Sequence, residues 1–250
     1  MQNNLIPKII HYCWLSNDPI PENLQKCMNT WKEKLPDYEF MLWNFTRFDK
    51  KSSLWVEQAF DSKKYAFAAD FIRLYAIYNY GGIYLDMDIE VLKTFDTLLN
   101  QKLMIAFENP EKTGIEAGCF GAEKNNIFIG DCLSYYNNRE FIKENGEFDT
   151  LPLPRIMFSL IKKHPEINIK DMCDWHYFTN KSYKTGEIST TSRSYAIHHF
   201  AGSWTSKYHK KLLKEKEWIL NNIKCKFFKF ILEKFCVIKK ILLEKINSKL

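Results

Sequence analysis

No stretch of the chain runs to 18 apolar residues, so the sequence predicts no membrane-spanning helix. The start, MQNNLIPKII, lacks a basic region followed by a long apolar one, which sets aside a secretory leader. Seven cysteines are scattered at positions 13, 27, 119, 132, 173, 225 and 236 without a single CxxC pair, which sets aside a zinc site of paired cysteines. An odd cysteine count without a leader fits reduced thiols in a cytosolic compartment. Internal repeats and low-complexity linkers are absent too.

What is present is core-forming material. At 46% apolar and 16% aromatic, the 250 residues suffice for one large domain or two small ones. The net charge of +6 and pI of about 8.8 mislead. Thirteen lysines and four glutamates lie between Lys207 and Leu250, an excess larger than that of the whole chain. The body is therefore mildly acidic and the tail strongly basic, so the average does not point to nucleic acid, and none is expected as a partner.

Pro7–Leu15 (PKIIHYCWL) reads as a buried first strand, short, β-branched and aromatic. Pro21–Leu35 follows as a helix, with Leu24, Cys27, Met28 and Trp31 on one stripe. Tyr38–Trp43 reads as a second strand, which gives a β-α-β opening. Helices are expected around Leu54–Phe60 and over Tyr65–Tyr80, Asn126–Arg139 (capped by Asn125 or Asn126) and Arg155–His164. Strands are expected at Glu90–Leu92, Leu103–Glu108, Glu116–Ala122 and Tyr195–Phe200, with a turn or short helix at Phe95–Leu99. The glycines of Glu116–Ala122 suit close approach by a backbone or ligand. From Tyr208 onward, apolar residues recur every three or four positions among lysines, as in one or two basic amphipathic helices. Such helices pack on the body or a partner chain, or lie in the plane of a membrane surface. The expected division is a body of residues 1–207 and a tail of residues 208–250.

The chemistry concentrates in AFAADFIRLYAIYNYGGIYLDMDIE, residues 66–90. Asp70 and Arg73, three apart, share a helix face. An intrahelical ion pair explains them, but the helix is otherwise almost wholly apolar, so a charged pair there also fits a cleft. Asp70 suits sugar hydroxyls, and the planar fork of Arg73 suits phosphate or sugar hydroxyls. The strand Ile83–Leu85 is expected to deliver Asp86 and Asp88 on one face at period two. Carboxylates so placed repel each other unless a divalent cation intervenes, and such a cation keeps positions for water and phosphates. Far along the chain, His198-His199 precede Phe200-Ala201-Gly202-Ser203-Trp204. Neighbours on a strand face opposite sides, so one of the two histidines points at the site. One His with two Asp suits manganese or a similar ion. Trp14 is either a core residue or a stacking plate for a base or sugar.

The segments IPKIIHYCWL, AADFIRLYAIYNYGGIYLDMDIE and YAIHHFAGSW together resemble the DXD-motif sugar transferases of glycosyltransferase family 32, from Ile6 to about Lys207. That family includes capsular-polysaccharide transferases, mannosyltransferases and relatives of the catalytic domain of large glucosylating toxins. The resemblance implies an α/β GT-A-type fold, a Rossmann-like mixed sheet flanked by helices. It also implies a UDP- or GDP-sugar donor, Mn2+ or Mg2+, and retained stereochemistry. By motif, Trp14 would stack near the base, Asp70 and Arg73 would bind the donor sugar, and Asp86 and Asp88 would form the DXD, with Asp88 the more direct ligand. His198 or His199, with Ser203, would complete the metal or phosphate site, and Trp204 would cover the leaving group. The spacing to the Trp favours His198, whereas a His-Phe-x-Gly pattern favours His199.

The implied reaction moves a hexose or N-acetylhexosamine to a glycan acceptor: capsule, lipopolysaccharide or another surface polysaccharide, free or lipid-linked. No enzyme nucleophile is legible, so front-face attack by the acceptor hydroxyl is expected. The expected location is cytoplasmic, with peripheral contact at the inner membrane face through residues 208–250. Two other readings compete. An Asp-x-Asp phosphatase carries its triplet on an early strand, followed by Thr or Val, whereas Ile89-Glu90 follow here. A non-catalytic sugar-binding or membrane-docking protein accounts poorly for the full set Asp70, Arg73, Asp86 and Asp88.

Overall fold

The computed structural model describes residues 4–167, 169, 172–183 and 185–201. The chain divides into two units, one holding the residues up to Lys181 and Ile188–Phe200, the other Ser182–Glu187 and the chain from Ala201. In the described part of the second, the Ser182 amide donates to Glu187 O at 2.9 Å and the Gly186 amide to Ser182 O at 2.8 Å, closing a small turn. Every element named below belongs to the first. The expected tail helices and the boundary at residue 207 lie outside the described residues, as do Ser203 and Trp204. Among the described residues no helix is long and apolar enough to cross a membrane.

The central sheet contains β1 (Ile9–Cys13), β2 (Glu39–Trp43), β3 (Gly82–Leu85), β5 (Leu103–Met104) and β6 (Cys119–Ala122), in the order β2-β1-β3-β6-β5. β2, β1 and β3 run parallel, while β6 lies antiparallel between β3 and β5. A second, two-stranded antiparallel sheet pairs β4 (Ile89–Val91) with β7 (Ala196–His198). Helices α1 (Glu22–Lys34), α2 (Leu54–Asp61), α3 (Tyr65–Tyr80), α4 (Ile127–Ser134) and α5 (Leu153–Leu160) complete the unit. A mixed Rossmann-like sheet flanked by helices, the expected fold class, is what forms.

α3 is the central helix. It is apolar nearly all round because it packs on α2 and α4 and across β1, β3 and β6. Ala68, Ile72, Leu74, Ala76 and Ile77 are fully buried. The helix ends at Gly81, whose φ of 67° permits the reversal into β3. Gly82 has φ 109°, and a Cβ there would stand 2.6 Å from Ile9 O, so the strand can dock on β1 only with glycine. Beneath the turn, buried His11 is locked at both nitrogens. Trp43 Nε1–H donates to Nδ1 at 3.0 Å, which leaves Nε2–H to donate to Gly81 O at 2.8 Å.

Several expectations are corrected. Asp86-Met87-Asp88 is not strand: the main sheet ends at Leu85, and the Ile89 amide closes a turn on Asp86 O at 3.0 Å. The two carboxylates converge because the chain turns there into the second sheet. The Glu90–Leu92 strand therefore belongs to that sheet, not to a continuation of β3. The strand expected over Leu103–Glu108 shrinks to two residues, followed only by single bridges from Ala106 to Cys173 and Phe107 to Ile115. The expected Asn126–Arg139 helix stops at Ser134, with Asn126 as its cap through the Ile129 amide. The helix expected at Arg155–His164 starts earlier, at Leu153, and gives way to a 3-10 turn at Ile161–Lys163.

Candidate metal and donor site

β1 and β3 are parallel, so their carboxyl ends share one edge of the sheet, and antiparallel β6 starts at that edge, with Cys119 opposite Leu85. Ligands of open α/β sheets bind beyond such ends. Asp86, Asp88 and the residues preceding β6 all stand there, and β7, paired with β4, brings His198 to them.

Asp86, Asp88 and His198 offer one ligand atom each, all within 4.8 Å of one another. His198 Nε2 is 3.5 Å from Asp88 Oδ1. The three residues are half-buried. Two carboxylates and an imidazole suit manganese, magnesium or a similar ion. Gly118 makes the convergence possible. A Cβ on it would fall 2.8 Å from His198 Cε1, 2.9 Å from Glu116 Oε1 and 3.0 Å from Asp86 Oδ2.

Behind the carboxylates lies Arg73, buried in the middle of α3. Its Nη1 donates to Asp86 Oδ2 at 3.3 Å and to Ala117 O at 2.7 Å. Its Nη2 stands 3.2 Å from Asp86 Oδ1 and 3.3 Å from Asp70 Oδ1, and Nε donates to Ala69 O at 3.4 Å. Three hydrogen bonds and two ion-pair contacts thus surround the guanidinium, which lies 4.6 Å from the centre of the Tyr84 ring. Tyr84 in turn donates its hydroxyl to Asp86 Oδ1 at 2.9 Å. Through these contacts the fork, which suits phosphate or sugar hydroxyls, braces Asp86.

The electrostatics follow from this crowding. Burial raises the Asp70 carboxyl to about 7, with Arg73 opposing the shift and Asp86 adding to it. Burial also raises Asp86, partly offset by Arg73, while Asp88 pushes it further up. For His198 burial opposes the charge, but Glu116 and Asp88 outweigh it and lift the imidazole to about 10. Glu116 is buried, yet His198, Thr179 and the Gly118 amide hold it below the usual carboxylate range. Such an acidic cluster calls for a cation.

The two histidines separate clearly. His198 faces Asp86 and Asp88. His199, the residue after β7, has Nε2 2.7 Å from Glu90 Oε2, and the cluster that gathers among the described residues is Asp86, Asp88 and His198. Trp14 sits at the carboxyl edge of β1, half-buried, with Nε1–H donating to Asp18 O at 2.9 Å. Sequence reasoning missed Glu116 as a site residue. A single acid ahead of a strand carries no spacing signal, and only the glycine beside it hinted at close approach.

The comparisons with known proteins bear on the stretch that carries this site. Residues 21–105, which hold Asp70, Arg73, Asp86 and Asp88, match the family model described as glycosyltransferase sugar-binding region containing DXD motif. The matched residues take in the central helix and the Asp-x-Asp turn that carry the resemblance. It is 34% identical over 132 residues to inositol phosphoceramide mannosyltransferase 3 of Schizosaccharomyces pombe, covering 51% of this chain and 36% of that protein. It is 34% identical over 145 residues to mannosyl phosphorylinositol ceramide synthase CSH1 of Saccharomyces cerevisiae, covering 55% and 38%. The chain therefore spans well under half the length of these curated relatives. Among solved structures, PaToxG glycosyltransferase aligns with a TM-score of 0.49 at 21% identity, over 64% of this chain and 70% of that one.

Proposed function

We propose that the protein is a metal-dependent glycosyltransferase that moves a hexose, mannose first among them, from a UDP- or GDP-sugar to a hydroxyl of a glycan or lipid-borne acceptor. The observation that carries this reading is the convergence of Asp86, Asp88 and His198 within 4.8 Å at the carboxyl edge of β1 and β3. A divalent cation bound there supplies positive charge for the diphosphate leaving group. Asp86, Asp88 and His198 hold it. Arg73 keeps Asp86 in place rather than touching phosphate. Asp70, paired with Arg73, is assigned to the donor sugar, and Trp14, at the carboxyl edge of β1, to stacking near the base. Ser203 and Trp204 belong to this proposal as cover for the diphosphate. The acceptor hydroxyl attacks the face from which the diphosphate leaves, with retention and without an enzyme nucleophile.

The relatives, inositol phosphoceramide mannosyltransferase 3 and mannosyl phosphorylinositol ceramide synthase CSH1, favour a phosphoinositol lipid acceptor over capsule or lipopolysaccharide. With a lipid acceptor, peripheral action at a membrane surface, aided by the basic residues 208–250, is part of the same reading. The test supplies the full chain with Mn2+, UDP- and GDP-hexoses, and vesicles containing inositol phosphoceramide or soluble mannosides. Labelled sugar appearing on either acceptor supports the reading. Cleavage of simple phosphate esters, with every nucleotide-sugar left intact, overturns it.

A further inference from the structure

Glu116 lies just outside β6, 2% exposed, and no motif marks it. Its oxygens face His198 Nδ1 at 3.0 and 3.1 Å. Oε1 also accepts from the Gly118 amide at 2.7 Å, and Oε2 from the Thr179 hydroxyl at 2.8 Å. An ionised carboxylate only accepts, so the proton between Glu116 and His198 sits on Nδ1. Nε2 is then the nitrogen left for the space beside Asp88. The ring is held from a further side by Phe200, stacked on it at 4.1 Å between centroids. Phe200 reaches that position from a φ of 51°, a conformation costly for a bulky residue and kept here where it covers His198.

We propose that Glu116 is a positioning residue that fixes the ring and tautomer of His198, so that Nε2 rather than Nδ1 completes the divalent-cation site with Asp86 and Asp88. The inference rests on the reading of those three residues as the metal site. The carboxylate anchors the imidazole from behind, and Thr179 and the Gly118 amide anchor the carboxylate. A carboxylate behind a metal-bound histidine fixes its orientation and raises its basicity, and losing it costs about 10–100-fold in metal affinity.

The test is a double-mutant cycle read by Mn2+ binding to the full chain, followed by electron paramagnetic resonance. Glu116→Gln is expected to weaken Mn2+ binding by about 10–100-fold. In a His198→Ala background the same substitution should change affinity by less than about twofold, because the group it positions is gone. Thr179→Val, which keeps the carboxylate and removes one of its anchors, should cost a few-fold. Should Glu116→Gln fail to fold, nitrogen-15 histidine spectra of the wild-type protein with diamagnetic Mg2+ decide, since His198 Nδ1 must then carry the proton. Equal Mn2+ affinity of wild type and Glu116→Gln overturns the inference while sparing the metal site, as does an additive effect in the His198→Ala background or an unprotonated Nδ1. A wild-type protein that binds no Mn2+ overturns both.

Discussion

Arg73 grips Asp86 at both ends of its fork, Nη1 to Oδ2 at 3.3 Å and Nη2 to Oδ1 at 3.2 Å, from the middle of a buried helix. The first aspartate of the Asp-x-Asp turn is thereby fixed to the core of the unit rather than to its surface. The same guanidinium ties α3 to the loop before β6 through Ala117 O, so three separate segments are registered by one side chain.

Lysine cannot reproduce this fork. Arg73→Lys should lower stability by about 2–4 kcal/mol, because buried acceptors on Asp70, Asp86 and Ala117 lose donors. Urea unfolding measures it. Since Arg73 acts here as a brace, its replacement should also weaken Mn2+ binding. Unchanged Mn2+ affinity with impaired donor binding would instead favour direct contact with the donor.

Gly118→Ala puts a methyl among His198, Glu116 and Asp86, at 2.8 to 3.0 Å from each. Backbone strain is not involved, so the fold should survive while the site spreads. Calorimetric titration should show Mn2+ affinity down about tenfold or more, with far-ultraviolet circular dichroism unchanged.

The neighbouring histidines should behave oppositely. His198→Ala removes a ligand of the cluster and should reduce metal-dependent turnover about 100-fold or more. His199→Ala removes only a partly exposed pair with Glu90 and should leave turnover within about threefold. Rates measured at saturating donor separate the two.

How far the sequence reached is plain in particular residues. The limits of α3, Tyr65–Tyr80, follow from an apolar run ended by two glycines, and they are as read. Asn126 was one of two caps that local chemistry allowed, and its side chain proves to be the acceptor. Local pattern failed where a partner lay far away. Ile89–Val91 leaves the main sheet because it pairs with Ala196–His198, and no periodicity reveals that choice. His198 and His199 find different partners for the same reason. Glu116 and Glu90 claim one ring each, and Glu116 stands 82 positions from His198.

Acid should weaken the fold through His11. Burial lowers its imidazole to about 4 from an ordinary value of 6.5. The unfolded chain takes up the proton first, so this contribution is fully present above about 6.5 and is lost as pH falls toward 4. The loss amounts to about 3 kcal/mol at most. Denaturant unfolding at pH 7.5, 6 and 5 should show the decline, and His11→Gln should flatten it within that window. An identical slope in the variant would assign the acid sensitivity elsewhere.

The central claim is that Asp86 and Asp88, gathered with His198, hold the cation that makes sugar transfer possible. The direct measurement is release of nucleoside diphosphate from a nucleotide-sugar by the full chain with Mn2+, repeated after chelation and with the Asp86→Ala/Asp88→Ala double variant. The account predicts metal-dependent release that falls about 1,000-fold or more in both repeats. Undiminished release by the folded double variant, or after chelation, would contradict it.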